Sequence, residues 1–160
     1  MELKELIMLS FVCAMGAISP GPSLAVVIRN TISGGRFQGV MTGIGHGIGI
    51  GIYAFMAVMG LSSLLLKNDK LFMILQIAGA ILLFWIAFKM ILSKPTDVID
   101  QKQFSKKGFI QGFMIAFLNP KILVFLVAVF SQFISSDLNI LDRLIIAIIA
   151  SFIDMAWYVL

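Results

Sequence analysis

The sequence has few charged residues and few of the residue types that make redox and metal sites. Only 12% of its 160 residues are charged, about half the share in a soluble domain, whereas 60% are apolar. Its single cysteine, Cys13, excludes an internal disulfide, and one histidine, His46, leaves too few ligands for a zinc cage. We therefore expect no metal or cofactor, and we expect the chain to lie in a lipid bilayer.

The net charge of +4 follows the loops and forms no basic patch interleaved with aromatic residues, so no nucleic-acid partner is expected. Loop charges instead predict orientation, because cytoplasmic loops carry an excess of lysine and arginine. Counted over alternate loops, seven of these residues fall on the side of loop 93–107 and four on the other. The long loop is therefore predicted to be cytoplasmic and the amino terminus to lie outside.

Five hydrophobic stretches are long enough to cross a bilayer, which takes about 20 apolar residues. They are Leu6 to Ile28, Gly39 to Leu66, Leu71 to Leu92, Phe109 to Ile134, and Leu144 to Leu160. They predict an all-α, polytopic membrane helix bundle. Several of these windows exceed one straight span, which indicates tilting or interruption.

Proline interrupts the first and the fourth stretch, at Ser19-Pro20-Gly21-Pro22 and at Leu118-Asn119-Pro120-Lys121. The polar linker 93–107 divides the chain into two halves, 1–92 and 108–160, and each break comes in the first span of its half. Because three spans per half is an odd number, the halves are predicted to be inverted three-helix repeats. Three spans per half require six in all, whereas five are present. We therefore expect a truncated second repeat, or a partner that completes the packing.

The breaks are candidate binding sites, because proline frees backbone groups that need a partner inside the membrane. Ser19 and Asn119 are good N-caps, so each is predicted to begin a half-helix whose free amides attract a carboxylate. A proline kink packed against a neighbouring helix is the alternative for either break. Two matched breaks favour a site, and its candidate residues are Ser19, Pro20, Gly21, Pro22, Asn119, Pro120 and Lys121.

Two further ionisable residues lie inside predicted spans, where they are costly and usually face a cavity or each other. Asp154 shares a helix face with Ala147, Ala150 and Ser151, so it is a candidate for binding a proton or a substrate amine. Its alternative role is that of a structural partner to Lys121 or to a backbone donor. His46 is a second candidate for proton coupling, or else a hydrogen-bonded packing residue.

Glycine recurs every fourth residue through the second stretch, and a second row runs beside the first. The rows are Gly35, Gly39, Gly43, Gly47 and Gly51, with Gly45 and Gly49 alongside. This helical period predicts a seam where backbones approach closely, and it argues against a phosphate-binding loop, whose glycines cluster in a turn after a strand.

Together these motifs resemble the LysE/RhtB amino-acid exporters. The similar segments are Ser19-Pro20-Gly21-Pro22, Gly34-Gly35-Arg36-Phe37-Gln38-Gly39, Gly108-Phe109-Ile110-Gln111-Gly112-Phe113, Asn119-Pro120-Lys121 and the spacing from Asp154 to Trp157. The resemblance implies six spans and export of amino acids or close derivatives across the cytoplasmic membrane, driven by proton exchange. A homo-oligomer is one possible assembly.

A different class of function stays open from the sequence. The glycine rows could bind partner helices in a membrane assembly or regulatory subunit that transports nothing, and the missing sixth span favours this alternative. An enzyme is disfavoured, because the sequence contains no nucleophile with a base and no soluble catalytic domain.

Overall fold

The computed structural model describes residues 1–61, 101–119 and 138–160, together with positions 70, 73, 74, 77, 81, 84, 88, 121, 122 and 124–126. Its helices are α1 (Leu3–Ile18), α2 (Pro22–Met56), which continues into a π-helical turn (Ala57–Leu61), α3 (Gln101–Leu118) and α4 (Ile140–Val159). All regular structure in these residues is helical, so the predicted all-α helix bundle is confirmed. Most of the predicted third span, and Pro120, lie outside the described residues.

The first break separates α1 from α2, but its cap differs from the prediction. Ser19 is the C-cap of α1, and Gly21 in extended conformation is the N-cap of α2, with Pro22 beginning the helix. The prediction that Ser19 begins the half-helix is therefore wrong. A residue before proline avoids the helical region, so Gly21 stays extended and the helix cannot start before Pro22.

Gly35 turns the chain back on itself within α2. Its φ of 76° and ψ of 173° interrupt the helix between the two predicted spans. Asn30 Nδ2 donates to Thr42 Oγ1 across this corner at 2.9 Å, and Gly39 faces Thr31. The two segments of α2, residues 22–34 and 36–56, therefore run antiparallel to each other.

Replacing Gly35 by Ala is expected to destabilise the corner by about 1–3 kcal/mol, because this backbone region is essentially restricted to glycine. A Cβ at this position would meet no atom within 4 Å, so the cost is conformational and not steric. Thermal unfolding in detergent should show the loss, with Ser33→Ala, an exposed change two residues away, as the control. An unchanged melting temperature in Gly35→Ala would contradict the strained corner.

The second segment of α2 is the centre of the bundle, and glycines line two of its faces. Gly43, Gly47 and Gly51 face α4, at Tyr158, Met155 and Ser151, whereas Gly45 and Gly49 face α3, at Phe109 and Ala116. From the other side, Gly108 and Gly112 of α3 lie against Gln38 and Thr42. The predicted packing seam is thus confirmed for these rows, but Gly35 forms the corner and does not belong to it.

Polar contacts mark one end of the bundle. The Met1 ammonium lies 3.0 Å from Asp142 Oδ1, and the Arg143 guanidinium donates to the Val58 carbonyl. The amino terminus, the end of α2 and the start of α4 therefore share this end, here named the Met1 end. The Gly35 corner lies at the other end of the bundle, where Gly108 of α3 contacts Gln38. Since α1 starts at the Met1 end and α3 passes the Gly35 corner, the two helices reach their proline breaks from opposite ends.

The bundle has large apolar residues outside and polar residues inside. Exposed side chains include Phe11 at 66%, Ile148 at 62% and Phe152 at 70%. The described positions of the predicted third span are helical and exposed as well: Met73, Ile74, Ile77, Ile81, Phe84 and Phe88. An apolar surface of this extent fits lipid and not water.

Among the described residues, one helical stretch, Pro22–Gly60, which includes the Gly35 corner, passes the test of length and apolar composition for a membrane span. The shorter α1 has 16 residues, and α4 carries Asp142, Arg143 and Asp154 within its 20 residues. The start of α3 at Gln101 lies inside the stretch predicted as linker, because glutamine and lysine favour helix and extend it beyond the apolar window. The boundaries of the repeats stay a prediction.

Candidate functional site

The two proline breaks lie side by side in the bundle. Lys121 Nζ donates to the carbonyls of Ser19 at 2.7 Å and Pro20 at 3.3 Å, which belong to the first break. Asn119 Nδ2 donates to Ser23 Oγ, in the first turn of α2, at 3.2 Å. The ammonium of Lys121 thus satisfies carbonyls at the end of α1, the negative pole of that helix.

Asn119 caps the helical residues that follow the second break. Its Oδ1 accepts from the Lys121 backbone N–H at 3.0 Å, and its own carbonyl accepts from Ile122 N at 3.0 Å. This is the side-chain contact that the sequence predicts for an N-cap. With its oxygen used in the cap and its amide nitrogen on Ser23, Asn119 connects the second break to the first.

A buried chain of polar side chains lies against this junction. His46 Nδ1 is 2.6 Å from Asp154 Oδ2, and His46 Nε2 is 2.8 Å from Ser23 Oγ. Exposure of His46, Ser23 and Asp154 is 1%, 4% and 7%. The sequence left open whether Asp154 pairs with Lys121, and the structure pairs it with His46 instead. The small-residue face of α4 explains the placement, because Ala147, Ala150 and Ser151 let α2 approach closely.

A cavity of about 50 Å³ opens beside these groups. Its polar lining includes Ser19, Ser23, His46, Asn119, Lys121, Asp154 and Tyr158. Its apolar lining includes Cys13, Ala17, Ile50, Phe125, Leu126 and Ala150. The structure thus brings together most of the predicted site residues, with Gly21 also in the wall. The volume suits one or two water-sized molecules, so a larger ligand requires the helices to move apart.

Two residues of the site, Ser23 and Tyr158, were not predicted from the sequence. The Tyr158 ring packs edge-on against His46 with centroids 4.8 Å apart. A signal for each was present: Ser23 follows Pro22 in the first turn of a half-helix, and Tyr158 is four residues after Asp154 on the same helix face. Neither stood out, because serine and tyrosine are ordinary residues in membrane helices.

A second polar cluster lies toward the Gly35 corner. Asn30 Nδ2 donates to both Thr42 Oγ1 and Gln111 Oε1 at 2.9 Å, so α3 is tied to both segments of α2. Gln111 therefore accepts an interhelical hydrogen bond. Gln38 Oε1 is buried here without a partner in the described part of the chain. Thr42 lies one turn before His46 on α2, so the cluster lies between the cavity and the Gly35 corner.

The sequence model of the LysE type translocator matches residues 14–160, which is nearly the whole chain and includes both breaks, His46 and Asp154. This chain belongs to the LysE-type translocator family. Its place in a membrane follows from that membership and agrees with the apolar exterior of the bundle.

Three curated relatives are similar to this chain over most of its length. The uncharacterized membrane protein YrhP of Bacillus subtilis is 29% identical over 92% of this chain and 76% of its own length. A threonine efflux protein of Salmonella typhi is 27% identical over 96% of the chain and 80% of its own length. A leucine efflux protein of Klebsiella pneumoniae is 30% identical over 75% and 58%. No solved structure matches the chain.

Proposed function

We propose that this protein exports amino acids across the cytoplasmic membrane in exchange for protons. The observation that carries the proposal is the buried His46–Asp154 pair at 2.6 Å, which lies where the two proline breaks meet. Relatives named threonine and leucine efflux proteins support the substrate class. Broken helices at a central site are a recurrent plan of secondary transporters, which supports the mechanism.

The substrate carboxylate would bind at the junction of the breaks. The first amides of α2, at Ser23 and Leu24, lie in a turn where N–H groups have no carbonyl within the helix. The dipole of α2 favours an anion at the same place, and the Lys121 ammonium is adjacent, near Gly21. An anion held there replaces the carbonyls that Lys121 now contacts.

The substrate ammonium would bind Asp154. A separation of 2.6 Å between His46 Nδ1 and Asp154 Oδ2 requires a proton between the two atoms. With His46 neutral, the carboxylate keeps its negative charge and attracts an ammonium group. A second proton on His46 makes the pair neutral and removes that attraction. Proton binding to His46 and ammonium binding to Asp154 therefore oppose each other, which is the condition for exchange.

Ser23 would position His46 for this role. With Nδ1–H directed at Asp154, Nε2 is an acceptor, and the Ser23 hydroxyl donates a hydrogen bond to it at 2.8 Å. Replacing Ser23 by Ala removes this donor, so we expect export to fall about tenfold and its pH optimum to shift, since one buried hydrogen bond contributes about 1–1.5 kcal/mol.

Pairs of variants keep this test specific. Ser23→Thr retains a hydroxyl and should recover most of the pH profile. Ser10→Ala removes a hydroxyl that donates to the Leu6 carbonyl within its own helix, and it should leave the profile unchanged. A pH profile in Ser23→Ala that coincides with that of the unmodified protein would contradict the positioning role.

Transport itself is tested with purified protein in proteoliposomes loaded with a mixture of amino acids. An inward proton gradient should drive their release, and collapsing the gradient with an ionophore should stop it. Vesicles that release nothing, from protein that reproducibly retains another membrane protein through purification, would overturn the exporter in favour of a membrane subunit.

A further inference from the structure

We infer that the exported amino acids are those with an uncharged, apolar side chain. The inference rests on the proposed function and concerns the same cavity. It follows from two features of the described residues: how many charges line the cavity, and where its apolar residues lie relative to its polar ones.

The charged groups that line the cavity are enough to pair with the ammonium and the carboxylate of an amino acid, but not with a third charge. Among the described residues that line it, Asp154 supplies the acidic group and Lys121 the ammonium group, with His46 hydrogen-bonded to Asp154. An ammonium on Asp154 and a carboxylate beside Lys121 use both groups. A substrate with a third charge, such as lysine or glutamate, would bring a charge without a partner.

The apolar lining lies to one side of the polar groups. Ile50 is one turn beyond His46 on α2, which runs toward the Met1 end, and Ala150 is one turn before Asp154 on α4, which runs from that end. Cys13 and Ala17 precede the break on α1. All of these place apolar surface between the head-group contacts and the Met1 end.

The residues after the second break complete this apolar half. Leu126 is 2% exposed, and the Phe125 ring lies directly against Gly16 of α1. A side chain that extends from the head group toward the Met1 end therefore meets carbon and sulfur atoms. Burial of an aliphatic side chain there is favourable by the hydrophobic effect, whereas an unpartnered charge at this depth is costly. The cavity thus selects uncharged side chains by two separate effects.

The experiment measures efflux of single amino acids from proteoliposomes that contain the unmodified protein. Vesicles loaded with leucine, valine, lysine or glutamate are compared under the same inward proton gradient. We expect leucine and valine to leave about 100-fold faster than lysine and glutamate, the factor expected for one unpaired charge in a membrane helix.

Two variants of Leu126 separate charge from polarity. Leu126→Glu supplies the missing acidic partner, so lysine efflux should rise while leucine efflux falls. Leu126→Gln has nearly the same shape without the charge, so leucine efflux should fall with no gain for lysine. If Leu126→Glu does not fold, Ile50→Glu with Ile50→Gln makes the same comparison from α2.

The outcomes distinguish this inference from the function on which it rests. Equal efflux of lysine and leucine by the unmodified protein would overturn the apolar selectivity and leave the exporter intact. Efflux of none of the four amino acids would overturn both. Faster lysine efflux by Leu126→Glu but not by Leu126→Gln would support the inference and place the substrate side chain against Leu126.

Discussion

Asp154→Asn is expected to lose proton-driven export by at least about 100-fold while the helix bundle stays assembled. Asparagine has the same shape and can still hydrogen-bond His46, but it carries no negative charge and exchanges no proton. Losing one partner of a buried, hydrogen-bonded charge pair costs about 3 kcal/mol, and that corresponds to about two orders of magnitude in affinity. Asp154 is 7% exposed and its Oδ2 lies 2.6 Å from His46 Nδ1, so the substitution acts on a buried and paired charge.

Two transport measurements distinguish a proton-binding role of Asp154 from a substrate-binding role. Exchange of labelled for unlabelled amino acid across vesicles at equal pH needs substrate binding but no net proton movement. Loss of gradient-driven export with exchange retained would assign Asp154 to the proton. Loss of both would assign it to the substrate amine.

A second carboxylate on the same helix provides the control. Asp142 lies at the Met1 end, where it pairs with the Met1 ammonium, and Asp142→Asn should export nearly as the unmodified protein does. That ion pair is formed outside the site, and it raises the pKa of the Met1 amine by hydrogen bonding to Asp142. Export at the unmodified rate by Asp154→Asn would refute both roles.

Gly47→Val is expected to force α2 and α4 apart. A Cβ on Gly47 would lie 2.6 Å from the Met155 Cβ and 3.0 Å from the Ser151 carbonyl oxygen. Backbone atoms cannot rotate away as a side chain can, so the helices must separate, and the Ser151 Oγ bond to the Gly47 carbonyl at 2.7 Å is lost as well. Overpacking of this kind costs about 1–3 kcal/mol.

The effect should reach the site, because the same two helices carry its central contact. His46 precedes Gly47 directly, and Asp154 precedes Met155, so added separation lengthens the His46–Asp154 contact. We expect Gly47→Val to lower the melting temperature in detergent and to abolish export. Ile52→Val, a change on α2 at a side chain that is 44% exposed, is the matched control. Unchanged melting of Gly47→Val would show that α2 and α4 do not pack through this glycine row.

Parts of the site were predictable from the sequence because local chemistry determines them. Proline breaks a membrane helix wherever it occurs, and asparagine before proline caps the next helix, so Asn119 was identified with its contact. An ionisable residue in an apolar span has few stable environments, which singled out Asp154 and His46. The cap at the first break was mispredicted, because the effect of Pro22 on Gly21 outweighs the capping preference of Ser19.

By itself the sequence determined that this protein lies in lipid and that it is helical. It also determined where the helices break and which few polar residues lie inside the bundle. These follow from hydropathy and backbone chemistry, which act within a few residues. Only the tertiary structure decided that Asp154 pairs with His46 and not with Lys121, that Ser23 connects the two breaks, and that the apolar wall lies toward the Met1 end. Those contacts join residues 23 to 108 positions apart, and their geometry depends on how glycine-lined helices pack, which no local pattern specifies.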